Sequence, residues 1–287
     1  DPSVPERVKA VANLAVGAPY SPEHIASARS RLERSGVYRS VSFDELPDPK
    51  SGVVNIETTL VPQKKRRMTA GVEIASPVGL TLSAGWMHRN YKRQLQTLSF
   101  DSELRNILDG ADAIDLTLGA ELERPAVLFP DTDLTLSSSF EFLQEPTFSS
   151  QSIDIGASLA RDFGNDWIGS AGTSLGHTLI QDDLGERSTT ALSFPLSLTL
   201  DRRDNTLDPT SGYRFGVTAT PILLLDSGKA ATQATFDIRR YLNVGSAGNT
   251  ILAGRFQGGT MFGAGYADVP PDLLFPSGGG GTVRGHA

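Results

Sequence analysis

Ile114-Asp115-Leu116-Thr117-Leu118-Gly119-Ala120-Glu121-Leu122 is the stretch on which the fold turns. Ile114, Leu116, Leu118, Ala120 and Leu122 take one face of an extended chain, and Asp115, Thr117, Gly119 and Glu121 the other, because strand side chains alternate with period two. The same pattern recurs in about eleven segments from Met68 onward, separated by turn-rich stretches. Towards the N-terminus lie Met68, Ala70, Val72 and Ile74, then Leu80 to Trp86, then a weaker set at Leu98 and Phe100. Towards the C-terminus come Leu134 to Phe142, Ile153 to Leu159, a Gly-rich segment over about 166–178, and Leu192 to Leu200. Tyr213 to Ala219, Ala234 to Ile238 and Leu252 to Phe256 complete the set.

Length decides between two β architectures. Many of these runs reach about 9–11 residues, as a tilted strand needs to cross a bilayer, whereas sandwich strands are nearer 5–6. Their second faces carry Ser, Thr, Gly, Asp, Glu, Gln and Arg, which suit a water-filled lumen better than a packed interior. The spacing therefore predicts a mostly β chain whose larger part is a transmembrane antiparallel β-barrel. Alternation does not say which face is outside, so a large soluble sheet protein is the competing reading. Aromatic residues make up only 7% of the chain, thin for two girdles. Yet Trp86, Tyr91, Phe129, Phe142, Phe148, Phe163, Trp167, Tyr213, Tyr241 and Phe262 fall near strand ends, where girdle residues belong.

Composition narrows the classes. The 287 residues hold 26 Lys+Arg against 33 Asp+Glu, a net charge of −7 that argues against a nucleic-acid partner. The absence of Cys removes disulfide scaffolds, Cys-ligated zinc, iron–sulfur clusters and thiol catalysis. The longest aliphatic run is Ile222 to Leu225, so a helical membrane span is not expected. The chain opens at Asp1 without Met or a signal-like h-region and reads as a processed or trimmed piece.

The charge is divided unevenly. Residues 1–67 carry 11 Lys/Arg and 8 Asp/Glu, and residues 68–287 carry 15 and 25. The step falls at Lys64, Lys65, Arg66 and Arg67, where a domain boundary is expected, at residue 62 or 63. That cluster would either meet lipid headgroups or solvate a linker. The N-terminal part reads helix, helix, strand, strand. Pro5 to Ala15 has helical spacing with Gly17 as its stop, and Ser21-Pro22-Glu23 opens a second helix that Gly36 ends. From Val37 the period changes to two, Val37, Val41 and Phe43 sharing a face with Arg39 as the exception, and a second strand runs Val53 to Val61.

Enzyme signals are poor. Gly172-Thr173-Ser174-Leu175-Gly176 matches G-x-S-x-G, but a nucleophile elbow is followed by a helix, and strand-like sequence surrounds this one. The four histidines, His24, His88, His177 and His286, share no metal-ligand spacing, and Gly278 to Gly281 lacks the Lys-Ser/Thr of a phosphate loop. No catalytic residue, metal or cofactor is expected. An outer-membrane lipase using Ser174 and His177 is the distant alternative.

Three segments carry a family resemblance. Asp204-Asn205-Thr206-Leu207-Asp208-Pro209-Thr210-Ser211-Gly212-Tyr213-Arg214-Phe215 resembles the turn-and-strand signature of the bacterial surface antigen superfamily. Gly280-Gly281-Thr282-Val283-Arg284-Gly285-His286 is similar to the motif on that family's long sixth outer loop, with His286 where the family has Tyr or Phe. Residues 4–61, including Ser35 to Val41, resemble a POTRA domain lacking its first strand. With the first strand rising from the periplasm, the 201–211 turn joins strands eight and nine on the periplasmic side. The tail then falls on the sixth outer loop, as in the family.

The resemblance implies a partial α+β POTRA domain at 1–62, then a barrel at 63–287 holding about eleven of sixteen strands and so truncated at its C-terminus, with the inward-folded loop starting at 262. It is strongest to the translocation and assembly module subunit (TamA-like), then to the BamA-like insertase and the two-partner secretion pores. It implies residence in the bacterial outer membrane, with the N-terminal domain in the periplasm. The implied partners are outer-membrane lipid, unfolded client barrels such as autotransporters, and a periplasmic partner of the TamB kind. Met68, Thr69, Ala70, Gly71, Val72, Glu73 and Ile74 would form a lateral-gate strand; Val37, Arg39, Val41 and Phe43 a POTRA edge strand; and Val283, Arg284, Gly285 and His286 the loop-six motif. Arg284 would pair with a lumen carboxylate. The gate reading implies that a client strand is templated by β-augmentation; a passive outer-membrane channel is the other non-enzymatic reading.

Overall fold

Each N-terminal helix opens on a proline. The computed structural model describes residues 3–75, 79–107, 114–145, 148–183, 185–244, 250–263 and 265. Helix α1 (Pro5–Ala12) ends at Asn13, which adopts φ 52° and donates its backbone N–H to the Lys9 carbonyl. The stop is thus Asn13 and not Gly17, because an asparagine tolerates the left-handed conformation and closes the helix one turn sooner. Helix α2 (Pro22–Arg34) starts at Ser21, whose hydroxyl accepts the His24 N–H, and buries the expected Ile25, Ala28 and Leu32.

Strands β1 (Tyr38–Asp48) and β2 (Val53–Pro62) pair antiparallel. A register irregularity between Tyr38 and Ser40 accounts for Arg39. The extra residue shifts the parity there, so Val37 and Tyr38 are buried together, Arg39 faces water, and alternation resumes at Val41 and Phe43. Pro47 lies inside β1 opposite Val54. The helices and this ribbon enclose one core of Val11, Ala12, Ile25, Ala28, Leu32, Val37, Tyr38, Val41 and Phe43.

Among the described residues, twelve further strands form one antiparallel sheet in sequence order. They are β3 (Arg66–Ala75), β4 (Gly79–Tyr91), β5 (Gln96–Ile107), β6 (Asp115–Arg124), β7 (Thr132–Glu145), β8 (Phe148–Gly164) and β9 (Trp167–Asp182). Then come β10 (Gly185–Ser193), β11 (Leu196–Asp201), β12 (Gly212–Leu224), β13 (Lys229–Val244) and β14 (Thr250–Phe262). Strands β10 and β11 are the two halves of the eighth expected segment, parted at Phe194-Pro195. Both halves keep one register on each neighbour: Ser193 faces Ser174 and Leu196 faces Ala171 on β9, while Ser193 faces Ile222 and Leu196 faces Ala219 on β12.

The chain divides into two compact units, one holding the described residues up to Glu145 with Ile155–Arg161, the other the remainder. In the first unit, β3 to β7 form a meander whose apolar face is open to the surroundings: Met68 is 79% exposed, Val72 72% and Ile74 81%, with Leu118 and Phe140 also exposed. In the second, Ile153, Leu175, Leu198, Val217, Ile238 and Phe256 are likewise exposed. The opposite face carries paired charges, as where Asp237 accepts from Arg239 at 2.9 Å and from Arg255 at 2.6 Å. In each unit an exposed apolar face lies opposite a polar one, an arrangement that suits strands bathed in lipid.

Candidate functional site

Strand β3 pairs with β4 along its whole length, from Arg66 opposite His88 to Ala75 opposite Gly79. Among the described residues no strand pairs with its other edge. Small residues set how closely this first hairpin closes. Thr69 faces Gly85 and Gly71 faces Ser83, and a Cβ on Gly85 would lie 2.6 Å from the Thr69 hydroxyl, one on Gly71 2.5 Å from the Ser83 hydroxyl. Each glycine thus gives room to the hydroxyl side chain opposite it. Met68, Ala70, Val72 and Ile74 occupy the apolar face of this edge strand, and Thr69, Gly71 and Glu73 the polar one.

A second assembly holds the helical region against two strand-connecting turns. Leu95, in the turn between β4 and β5, is fully buried in the N-terminal core, and Ala126, between β6 and β7, packs on it. The first turn is contorted to deliver that side chain: Asn90, Lys92, Arg93 and Leu95 all have φ between 53° and 61°. The Asn90 side chain stabilises this path, its Oδ1 accepting the Leu95 N–H at 3.1 Å and its Nδ2 donating to Ser3 Oγ at 2.9 Å. Ser3 in turn meets the Tyr38 hydroxyl at 2.9 Å, and burial raises the Tyr38 phenol above its ordinary range. The Val4 N–H donates to the Arg93 carbonyl at 3.1 Å. Arg7 donates to the carbonyls of Gln94 (3.2 Å), Ala126 (3.3 Å) and Pro125.

Arg31 closes the second turn. Its guanidinium meets Asp131 as a fork, Nε to Oδ1 at 2.7 Å and Nη2 to Oδ2 at 3.0 Å, while Nη1 donates to the Ala12 carbonyl at 3.2 Å. Arg34 adds a contact to Asp131 at 3.2 Å. The Arg31 hydrogen bonds hold the Asp131 carboxyl below its ordinary value of 3.8, with the charges of Arg31 and Arg34 assisting. A depressed carboxyl contributes stability that is complete above its unfolded-state pKa and is lost as pH falls through the lowered one. Docking is therefore expected to be constant from neutral pH down to the ordinary carboxylate range and to weaken only below it. Arg31→Ala should cost about 1–3 kcal/mol of docking, read as faster amide exchange in α2 at pH 7. The difference from wild type should shrink in strong acid; an unchanged exchange rate at pH 7 would refute the clamp.

The 201–212 connection is built around one carboxylate. Asp204 accepts the backbone N–H of Asn205 (3.0 Å), Thr210 (3.0 Å) and Ser211 (3.1 Å) and the Thr210 hydroxyl (2.5 Å). The Thr210 hydroxyl, then the Ser211 amide, pull its pKa well below the usual carboxylate range. Asn205 accepts the N–H of Leu207 at 2.8 Å and of Asp208 at 3.2 Å. The strand restarts at Gly212 with φ +101°.

Three of the four edge-strand residues singled out in the N-terminal region have little to offer a partner through their side chains: Val37, Val41 and Phe43 are core, and only Arg39 is exposed. A strand added at β1 would meet backbone there. Val283, Arg284, Gly285 and His286 lie outside the described residues. Ser174 and His177 both sit on β9 with no helix following, and their odd spacing puts them on opposite faces of that strand, so no nucleophile–base pair forms. His177 Nδ1 instead lies 3.0 Å from Thr190 Oγ1. Among the described residues no group of His, Asp and Glu could hold a metal ion. Leu95, Arg7 and Asp131 escape sequence reading, since a single leucine among Arg93, Gln94 and Gln96 carries no periodicity.

A family model described as the Omp85 superfamily domain matches residues 75–287. No curated protein matches the chain. Among solved structures, BamA from Haemophilus ducreyi lacking POTRA domains 1–3 is similar at TM-score 0.77 and 15% identity, covering 99% of this chain and 57% of that one. CdiB from Acinetobacter baumannii follows at 0.69 and 14%, covering 99% and 54%. CdiB from Escherichia coli gives 0.61 and 15%, covering 99% and 56%. The chain thus spans a little over half the length of the structures it resembles, and the likeness is one of fold.

Proposed function

Because the chain belongs to the Omp85 superfamily, whose members translocate or insert proteins at the outer membrane without catalysis, we propose that it is part of an outer-membrane assembly factor for client β-barrels. On this reading residues 1–62 are a POTRA domain in the periplasm, residues 63–287 belong to the barrel, and the segment from 262 begins the sixth outer loop. The branch is the TamA-like one, with autotransporter-type clients and a TamB-like periplasmic partner.

The observation that carries the proposal is the edge of β3, which has no pairing strand among the described residues and whose neighbours on one face are apolar and open. Unpaired N–H and C=O groups in a lipid setting cost several kcal/mol each, so such an edge favours any strand that can complete its ladder. An incoming client strand gains main-chain hydrogen bonds, and its own alternation matches lipid on one side and lumen on the other. No bond is made or broken.

The chain has no cysteine of its own, so Thr69→Cys gives a unique thiol on this edge strand. It is expected to form a disulfide with an unfolded barrel polypeptide bearing single cysteines along its last strand, with yields peaking at one register. No crosslink at Thr69, Gly71 or Glu73 positions would sink the gate. A two-partner secretion pore or passive channel would instead keep its conductance after removal of residues 1–62, with no client crosslink at β3.

A further inference from the structure

The first hairpin carries a feature that client insertion does not use. Between Thr58 and Phe100 the chain has seven Lys/Arg and a single carboxylate, Glu73, although Asp and Glu make up 33 of all 287 residues. Elsewhere arginines are matched to acids: Arg239 and Arg255 to Asp237, Arg187 to Asp182, Arg203 to Asp201, Arg31 to Asp131. Arg66 and Lys92 are exposed and form no ion pair among the described residues. Their charge faces outward uncompensated.

The rings beside them are ordered. Phe100 and Trp86 lie 5.7 Å apart, Trp86 and His88 5.8 Å, His88 and Tyr91 5.7 Å, and the Lys92 ammonium stands 5.4 Å from the Tyr91 ring centre. Arg66 is registered opposite His88, and Met68, on the same face, opposite Trp86. From Phe100 to Lys92 the face grades from apolar, through amphipathic rings, to cation. That is the polarity profile of one leaflet from acyl chain to headgroup.

We propose that the outer face of the β3–β4 hairpin, with Arg66, His88, Tyr91 and Lys92 at its periplasmic end, binds the headgroup of an anionic phospholipid. Trp86 and Phe100 pack along its upper acyl chain. The cations supply the charge complement, Tyr91 and His88 sit at headgroup depth, and the segment from Ile74 to Phe100 carries no acid of its own to compete for the phosphate. The proposal rests on β3–β14 crossing a membrane, and its test separates the two ideas.

Ala84 is exposed on the same face, two residues from Trp86. The intact protein with Ala84→Cys, labelled with bimane and reconstituted in vesicles, is titrated with headgroup-proximal nitroxide phosphatidylglycerol or phosphatidylcholine. Quenching is expected to favour phosphatidylglycerol. R66S and K92S should each reduce the preference by about fivefold, while R66K/K92R and the distant R39S retain it. Persisting quenching by phosphatidylcholine in R66S/K92S reports that the protein is still inserted. Equal quenching by both lipids in the unaltered site, or an undiminished preference in R66S/K92S, overturns the proposal and leaves the membrane reading standing. No quenching by either lipid overturns both. A preference abolished by inorganic phosphate, and not by chloride at equal ionic strength, also overturns it, by making the site one for free phosphate.

Discussion

Leu95→Ala is expected to loosen the helical region by about 2–5 kcal/mol, the range for truncating a wholly enclosed leucine. Leu95 has no exposed surface and belongs to the core formed by Val11, Leu32, Tyr38 and Phe43, although it arrives from the connection between β4 and β5. Its loss empties space in a core whose other members cannot collapse onto it without dragging the turn. Native-state amide exchange in α2 should accelerate by at least about thirty-fold. A second variant separates packing from backbone strain. Leu95 sits at φ 57°, where an L-residue is disfavoured by roughly 1–2 kcal/mol and glycine is not. Leu95→Gly should therefore be no worse than Leu95→Ala, reversing the usual order of those two residues. A much more damaging glycine would mean that the turn is held by something other than the side chain.

Gly212→Ala is expected to block folding of the 201–212 connection outright. At φ +101° a Cβ would sit 2.1 Å from the Arg202 carbonyl oxygen and 2.8 Å from the Arg203 Cα. Both are backbone, so neither can swing aside. The Arg202 N–H also bonds the Tyr213 carbonyl at 2.8 Å, and Asp204 is fastened to Thr210 and Ser211, so any relief must dismantle that network. Gly228 is the control: its φ is +68° but a Cβ there meets nothing within 4 Å. Gly228→Ala should cost only about 1–2 kcal/mol of left-handed strain. On limited proteolysis of the reconstituted protein, Gly212→Ala should open the 201–212 connection to cleavage while Gly228→Ala leaves it protected. Equal behaviour of the two would remove the steric argument.

Where the chain repeats itself, it could be read. The run Ile114 to Leu122 and its relatives signal strand by period alone, and each of the eleven segments falls on the sheet, the eighth divided at Phe194-Pro195. The helix start at Ser21-Pro22 was equally legible, because capping chemistry is local. What stayed hidden depends on pairing partners far along the chain. Arg39 looked like an error in its strand until the irregularity opposite β2 supplied the missing half-step. Asn13 competes with Gly17 as a helix stop by a margin too small for local reasoning. Leu95, Asp131 and Arg7 belong to no pattern, since each acts through partners far along the chain, as Arg7 does with Gln94 and Arg31 with Asp131 at separations of 87 and 100.

The interruption at Phe194-Pro195 has a consequence for how this sheet tolerates mutation. A proline between β10 and β11 removes a donor, and a compensating inserted residue would invert every side chain beyond it, sending Leu196 and Leu198 toward water. Neither β9 nor β12 shifts across the gap. The neighbours instead bridge it, Gly172 donating to the Pro195 carbonyl and Phe194 to the Pro221 carbonyl, each at 2.9 Å. The defect is thus a missing stitch and not a miscounted one. Single deletions or insertions in 185–201 should be far more harmful than any point substitution at Pro195, since only the former change the count.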